Sequence, residues 1–171
     1  MGIFNIDRNI KKIIGKEDRK TLDILGKRKY EFGGGIDFNH RGVERIEVYR
    51  GKTDELDLPP DFEIGYHTHP SGLVAPSATD IHSIMGSSNQ QAEIIVGPKK
   101  SLLIVKTQKF KNWYSANRNK LEMYQQQYIQ KYKTKQKIAT AWIGFLKNKG
   151  LYMKIHKRGT PINIRGVKIV E

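Results

Sequence analysis

The segment IGYHTHPSGLVAPSATDIHSIM, residues 64–85, decides the fold of this chain. Its first residues, IGYHTH, have strand character, and the proline, glycine and serine residues that follow predict a loop. Ser77 and Asp80 form an S-x-x-D capping pattern before IHSIM, so a helix is expected to begin at Ser77. The stretches AEIIVGP and SLLIVKT come next and are typical of two short apolar strands. A helix therefore separates strands in the centre of the chain.

The segments on both sides of this centre predict further strands and helices. Isoleucines at helical spacing predict an amphipathic helix in the first residues, and β-type residues around NHRG predict a hairpin over 29–50. The acidic, proline-containing TDELDLPPD indicates a surface loop. Downstream, tyrosines at three-, four- and seven-residue intervals predict one long helix over about 112–135. The segment KIATAWIGFLKNKG continues that helix or forms a second one, and a hairpin around 159–161 is expected to end the chain.

This order of elements mixes adjacent strands with strands separated by a helix. Such a mixture favours an α/β or α+β fold, a single domain whose mixed sheet is flanked by helices. We expect residues 1–107 to form the core together with the N-terminal helix. Residues 108–171 are predicted to form a basic extension of long helix and hairpin that packs on the same domain.

The composition narrows the chemistry available to the 171 residues. There is no cysteine, which excludes disulfides, thiolate nucleophiles and cysteine-based zinc or iron–sulfur sites. A bound metal would therefore depend on His, Asp or Glu. No apolar run approaches the roughly 18 residues of a membrane span, and the N-terminus offers no apolar signal core. We expect a cytoplasmic protein that does not associate with membranes.

The net charge of +14 is concentrated in one half of the chain. Residues 1–98 carry 13 Lys and Arg against 15 Asp and Glu, a net of −2, whereas residues 99–171 carry 18 against two, a net of +16. Such a cationic half attracts acidic partners, and an acidic protein and nucleic acid are both open possibilities. A solvated, lysine-coated surface is an equally good interpretation of the same charge.

Two histidines and one aspartate form the candidate chemical centre. His67 and His69 are two residues apart on a predicted strand, so their imidazoles lie on the same face. Asp80 falls in the first turn of the predicted helix, from which a carboxylate can face the end of the strand. Two imidazoles and one carboxylate leave a fourth tetrahedral position for water, as catalytic zinc sites do. Each part alone has a simpler explanation, since H-x-H pairs are common and Ser77 with Asp80 suffices as a capping box.

Taken together, these residues resemble the signature of a known family. The pattern H-x-H-P, six residues, Ser, two residues, Asp stands here as His67, His69, Pro70, Ser77 and Asp80. It resembles the signature of the JAMM/MPN metalloprotease superfamily. The Gly-Tyr pair before the motif is similar to deubiquitinase-type members, whereas PSG followed by PS-x-x-D is similar to the bacterial RadC branch.

The resemblance implies a fold, a metal and a reaction. The fold would be the cytidine-deaminase-like JAMM/MPN architecture, whose core is similar to the element order of about 25–107. Zn²⁺ would be held by His67, His69 and Asp80. The enzyme would hydrolyse peptide or isopeptide bonds at the C-terminal Gly-Gly of ubiquitin or a ubiquitin-like protein, and Ser77 would donate a hydrogen bond to the tetrahedral oxyanion.

The family also uses an upstream glutamate next to glycines as general base and then general acid. Glu31 fits this pattern, because it stands in YEFGGG as E-x-G-G, and glycines let a backbone approach a substrate closely. A simpler interpretation of Glu31 is an edge-strand glutamate beside a glycine bulge. The competing upstream carboxylates are Glu44, Glu47, Glu55 and Glu63.

Two other functions stay open for the same sequence. One is a RadC-like or mobile-element accessory protein that binds nucleic acid through its basic C-terminal half. The other is a metal-free binding module, which the complete ligand set disfavours. No oligomeric state is predicted. The aromatic residues at helical spacing are expected in the core rather than stacked on bases, and the histidines not assigned to the site are His40, His82 and His156.

Overall fold

The computed structural model describes residues 3–4, 32–39, 42–50, 63–69, 73–157 and 169–170. Several sequence-based predictions lie outside the described residues: the N-terminal helix, the acidic loop at 53–61, Glu31, His40 and the turn at 159–161. The segment that carries the metal-ligand pattern is described on both sides of residues 70–72.

A six-stranded mixed sheet forms the centre of the fold, in the order β3-β2-β4-β5-β6-β7. Its strands are β2 (Phe32–Asn39), β3 (Gly42–Arg50), β4 (Ile64–Thr68), β5 (Ala92–Val96), β6 (Lys100–Val105) and β7 (Tyr152–Lys157). β4 and β5 are parallel, and the other neighbouring strands are antiparallel. Two short strands, β1 (Ile3–Phe4) and β8 (Ile169–Val170), pair with each other. The predicted α/β class with a mixed sheet is confirmed, as is the antiparallel pairing of the two strands of the predicted 29–50 hairpin.

A crossover helix joins the two parallel strands. Parallel neighbours need such a crossover, because a tight turn can join only antiparallel strands. Helix α1 (Ala78–Gly86) supplies it, and Ser77 is its N-cap as the sequence predicted. All residues of β4 and β5 are buried, including the polar His67 and Thr68 of β4 and Glu93 of β5. Nine residues, 69–77, connect β4 to α1. The first turn of α1 lies at the carboxyl end of β4, since Asp80 Oδ1 is 3.6 Å from Nε2 of His67.

The single long helix predicted over 112–135 is wrong. The chain forms α2 (Gln108–Asn117), a 3₁₀ turn (Arg118–Lys120) and α3 (Leu121–Lys131). Asn117 is the physical reason, because its backbone leaves helical geometry at ψ 2° and its side-chain amide donates to the carbonyl of Trp113 at 2.8 Å. The following segment is a separate helix, α4 (Lys135–Asn148), which Thr134 caps. The glycine after it, Gly150, has a φ of +104° and ends the helical run.

The hydrophobic core lies between α1, the central strands and the three later helices. Trp142 of α4, Phe110 of α2 and Leu121 of α3 are almost completely buried in the same cluster as Ile81 of α1 and Leu102 of β6. Aromatic side chains of the tyrosine-rich segment pack against this cluster while partly exposed, among them Trp113, Tyr114, Tyr124 and Tyr128. Their helical spacing therefore reflects packing, as the sequence predicted.

The predicted C-terminal hairpin is not the pairing seen among the described strands. β7 pairs with β6, and Ile169–Val170 pairs with Ile3–Phe4. At the edge of the large sheet Met153 of β7 is buried, whereas Ile155 is 49% exposed. The predicted turn at 159–161 lies outside the described residues. Within the described part of the chain, no helix is both long and apolar enough to cross a bilayer.

Candidate metal centre

Three predicted ligands, His67, His69 and Asp80, meet at the carboxyl end of β4. One ligand atom from each lies within 4.8 Å of the others. The Nε2 atoms of the two histidines are 3.0 Å apart. Asp80 Oδ1 is 3.6 Å from Nε2 of His67, and Asp80 Oδ2 is 3.6 Å from Nε2 of His69. The strand pleat places the two imidazoles on one face, and the first turn of α1 brings the carboxylate to them.

Glu93 fixes the orientation of His67. Its Oε1 lies 2.6 Å from Nδ1 of His67, and both side chains are buried, with the glutamate 4% exposed. A carboxylate accepts only, so the hydrogen-bond network assigns the proton to Nδ1. Nε2 of His67 is then left with a lone pair that faces the other ligands. A histidine bound to a metal through one nitrogen characteristically donates from the other in this way.

A backbone carbonyl does the same for His69. The oxygen of Leu73, in the loop after β4, lies 2.8 Å from Nδ1 of His69. The backbone N–H of His69 donates to the carbonyl of Val96 at 2.9 Å, which ties this residue to the end of β5. Nε2 of His69 is therefore also the nitrogen with the free lone pair. Both imidazoles present the same kind of atom to the same point.

Asp80 is held in place by the capping box of α1. Its Oδ2 accepts the backbone N–H of Ser77 at 2.7 Å, and its own N–H donates to Oγ of Ser77 at 3.0 Å. Burial works to raise the pKa of Asp80, but hydrogen bonds and charge interactions with His67 and His69 hold it well below its usual range. The carboxyl group is thus ionised at neutral pH, as a metal ligand must be.

The resulting donor set favours a bound cation. With both Nδ1 atoms protonated, two imidazole lone pairs and a carboxylate face one another at 3.0–3.6 Å. A proton between these three groups satisfies them in part. Burial lowers the pKa of His67, but the hydrogen bonds and charges of Asp80 and Glu93 outweigh burial and raise the pKa of His67 to about 10. A divalent ion satisfies all three. Two nitrogen ligands of a tetrahedral zinc ion lie roughly 3.3 Å apart, close to the separation seen here.

The chain matches no protein-family model, no curated protein and no solved structure with which it was compared. The case for this centre therefore rests on its donor atoms and on the residues that orient them.

Glycines lie around His67 on β2 and β4. Gly33 lies opposite His67 across β2 and β4, and Gly35 lies opposite Gly65. Gly65 leaves the space that the Glu93 carboxylate occupies, since a Cβ built there would lie 2.1 Å from Oε2 of Glu93. Gln90 also donates through Nε2 to that oxygen. Small residues thus let a buried glutamate reach His67 from the neighbouring strand.

The later helices support the entry to α1, the helix that carries Asp80. Trp142 of α4 donates its indole N–H to the carbonyl of Pro76 at 2.8 Å. The side-chain oxygen of Gln125 in α3 accepts the backbone N–H of Ala78 at 2.8 Å, at the first residue of α1. These two contacts hold the entry to α1, and through it Ser77 and Asp80, against the helices.

The remaining predicted site residues have separate outcomes. Ser77 lies beside Asp80 as its capping partner, and its hydroxyl oxygen accepts rather than donates in that contact. Glu31 lies outside the described residues. His82 is not at the centre, because it bonds to the Tyr114 hydroxyl at 2.5 Å and to Glu122 at 2.7 Å. His156 lies on β7, away from the cluster, where burial and the charge of Lys154 lower its pKa.

Sequence reasoning did not identify Glu93. The available signal was a single charged residue inside the apolar strand AEIIV, since a buried carboxylate is rarely kept without a partner. Finding that partner required the register of the parallel pair, in which Glu93 stands opposite Gly65 and one step along the face from His67.

Proposed function

We propose that this protein is a zinc-dependent hydrolase of peptide or isopeptide bonds, a JAMM-type metalloprotease. One observation carries the proposal: the Nε2 atoms of His67 and His69 and the carboxylate of Asp80 converge while both Nδ1 atoms are occupied by acceptors. Three ligands of this kind leave a position for water, the arrangement of catalytic rather than structural zinc. Zinc in such a site would lower the pKa of its water to about 7 and polarise a carbonyl group.

The residues of the chain would supply the proton transfers and the positioning. Glu31 would take a proton from the attacking water and return it to the leaving amine, a role worth about 10²–10⁴ in rate. Ser77 would turn its hydroxyl hydrogen toward the oxyanion while its oxygen still accepts the N–H of Asp80. Glu93 and the Leu73 carbonyl would hold the two imidazoles in their orientation.

The sequence pattern supports the finer assignment of fold and substrate. The His67, His69, Ser77 and Asp80 residues follow one another along the β4-α1-β5 segment in the order of the JAMM/MPN signature. On this sequence pattern we infer the cytidine-deaminase-like architecture of that family. We take the substrate to be the C-terminal Gly-Gly bond of ubiquitin or a ubiquitin-like protein.

Metal analysis combined with a cleavage assay tests the proposal. Purified protein is expected to contain about one zinc per chain and to cleave a panel of fusions that follow a Gly-Gly terminus. Glu31→Gln should keep the zinc and lose at least about 100-fold in kcat, whereas Glu63→Gln should retain activity. Folded protein that binds no zinc would overturn the proposal, and so would equal activity in the Glu31 variant and the native chain.

A second candidate function, nucleic-acid binding, is supported by a separate observation. Residues 108–157 carry 12 Lys and Arg and a single acidic residue, Glu122. Four of these lysines, exposed around the turn between α3 and α4, are Lys131, Lys133, Lys135 and Lys137. Tyr128 and Tyr132 stack beside them with ring planes 6° apart, and Nζ of Lys131 lies 5.6 Å from the Tyr132 ring. Basic residues next to aromatic rings are typical of single-strand binding surfaces.

A salt titration tests this second candidate. Anisotropy of a labelled oligonucleotide should show affinity that falls steeply between 50 and 200 mM salt, on the order of 10³-fold if about six phosphates are contacted. The double change Lys133→Gln and Lys135→Gln should flatten the slope by about two, and Lys109→Gln with Lys120→Gln, of equal charge, should change it less. A flat salt response would rule this function out.

A further inference from the structure

A second candidate site, a cavity, lies at the opposite end of α1 from the candidate metal centre. Its volume is about 570 Å³, within the range of roughly 300–1,000 Å³ typical of small-molecule sites. The last turn of α1, the loop before β5, the end of β6, α2 and the 3₁₀ turn line it. Its lining residues include no carboxylate among those described, and they include the three cations Lys106, Lys111 and Arg118.

Lys106 is the most deeply placed of these cations. It is 3% exposed, and its Nζ donates to the backbone carbonyl of Ser87. Burial, with a smaller contribution from the charge of Lys111, lowers the pKa of Lys106 to about 8. Among the described residues, no carboxylate lies within ion-pair distance of Lys106. A buried charge is normally compensated by a partner, and here the described protein atoms offer only a neutral carbonyl.

Arg118 adds an exposed guanidinium at the mouth of the cavity. Its charge acts on the Tyr114 hydroxyl, where it counters the effect of burial on the pKa of that group. The Glu122 carboxylate is bonded to His82 at 2.7 Å, and among the described residues no ion pair joins a carboxylate to Arg118. The remaining polar lining residues are Ser87, Ser88, Asn89 and Ser115, and the hydroxyl of Ser115 donates to the carbonyl of Lys111 at 3.0 Å.

The two sites are separate. α1 has nine residues, so its ends are about 13 Å apart at 1.5 Å per residue. The metal ligands lie at its first turn and at the carboxyl end of β4. The cavity lies at its last turn and beside the amino end of β5, where Lys106 donates its N–H to the carbonyl of Gln91 at 3.0 Å.

We propose that this cavity binds a small molecule through its phosphate group, with Lys106, Lys111 and Arg118 neutralising the anion. Three cations match a phosphate dianion better than a single carboxylate, and a guanidinium can bind two phosphate oxygens at once. The volume exceeds what inorganic phosphate fills, which leaves room for the organic part of a ligand of nucleotide size. This site is independent of the proposed hydrolase function.

Calorimetric titration at constant ionic strength tests the proposal with three probes: inorganic phosphate, pyrophosphate and adenosine monophosphate. We expect saturable binding of at least one probe. Arg118→Gln and Lys111→Gln should each weaken it by about tenfold, the usual scale for a lost hydrogen bond to a charged group. Lys120→Gln, an equal change of charge outside the cavity lining, should alter it less than twofold. Lys106→Met, which keeps the buried volume, should also abolish most of the affinity.

The probes identify the source of the phosphate, and the controls decide the site. Similar affinities for all probes would support recognition of the phosphate group alone, and tighter binding of the nucleotide would support a ligand that fills the cavity. His69→Ala, which disrupts the metal centre, should leave the affinity unchanged. The proposal is overturned if none of the three probes binds at about 10 mM, if Lys120→Gln weakens binding as much as Arg118→Gln, or if His69→Ala removes it.

Discussion

Glu93 lies inside an apolar strand because its carboxylate has two partners there. It accepts from His67 at 2.6 Å and from Gln90, and it is 4% exposed. Without a hydrogen-bonded partner, a carboxylate buried to this degree would be strongly unfavourable. At the scale of single residues, the candidate metal centre therefore includes a residue, Glu93, that is not one of the three predicted ligands but orients one of them.

We predict that Glu93→Gln weakens zinc binding by about 10–100-fold, the usual effect of losing a partner that orients a ligand. The amide can present its N–H₂ instead of an oxygen, so His67 loses the acceptor that fixes its tautomer. Competition with a chromophoric chelator measures the affinity. Glu122→Gln, which alters a carboxylate bonded to His82, is the matched control. Native affinity in the Glu93 variant would show that His67 is oriented by other contacts.

Gly65 offers a test of the same contact from the neighbouring strand. A Cβ at this position would lie 2.1 Å from Oε2 of Glu93 and 2.6 Å from Nε2 of Gln90, and both atoms end flexible side chains. Gly65→Ala should therefore push the carboxylate away from His67 and lower zinc affinity as much as Glu93→Gln. The double variant should lose little more than either single one, because both remove one contact. Additive losses in chelator competition would contradict this.

At the scale of elements, the sequence predicts α1 and its ligands well because the signals are local. The S-x-x-D pattern fixes the start of α1, and the two-residue period of β4 places both histidines on one face. The break between α2 and α3 was not predicted, since the tyrosine spacing continues across it. The Asn117 amide competes with the backbone there. The contact of Glu93 with His67 depends on strand register, and the support of Pro76 by α4 depends on tertiary packing. The periodicity of the sequence reveals neither.

The capping box of α1 gives Ser77 two roles that one substitution separates. Ser77→Ala removes the acceptor for the Asp80 N–H, which should lower the free energy of unfolding by about 1 kcal/mol. The Ser77 backbone N–H still bonds to Asp80, so zinc affinity should change only a few-fold. If the hydroxyl also serves the oxyanion, kcat should fall by about 100-fold or more.

Thr134→Ala is the matched control for Ser77→Ala. Thr134 caps α4, where its side chain accepts from the N–H of Lys137 at 3.2 Å. It should cost a similar amount of stability in urea unfolding and leave the cleavage rate unchanged. Equal rates in both variants would assign Ser77 a capping role only.

At the scale of the whole molecule, the basic half of the chain contributes to the fold as well as to the surface charge. α3 and α4 bond to the entry of α1 through Gln125 and Trp142. Lys106 and Arg118 line the cavity at the last turn of α1. The sequence shows the excess of positive charge. It does not show which basic residues line a cavity and which are exposed, because that depends on which lysines the packing buries.

The burial of Lys106 predicts a pH dependence for the stability of the whole protein. Its pKa falls from 10.5 to about 8 on folding, so between these values the unfolded chain binds a proton that the folded chain does not, and the free energy of unfolding rises with pH. Below about pH 8 Lys106 is charged in both the folded and the unfolded chain, and the full free-energy cost of burying that charge remains.

Lys106→Met should unfold at a higher urea concentration than the native chain at pH 7.5, and this difference should shrink toward pH 10.5. His67, whose raised pKa acts in the opposite direction, is common to both proteins and cancels in the comparison. A gap that stays constant over this range would show that Lys106 is not desolvated in the folded protein.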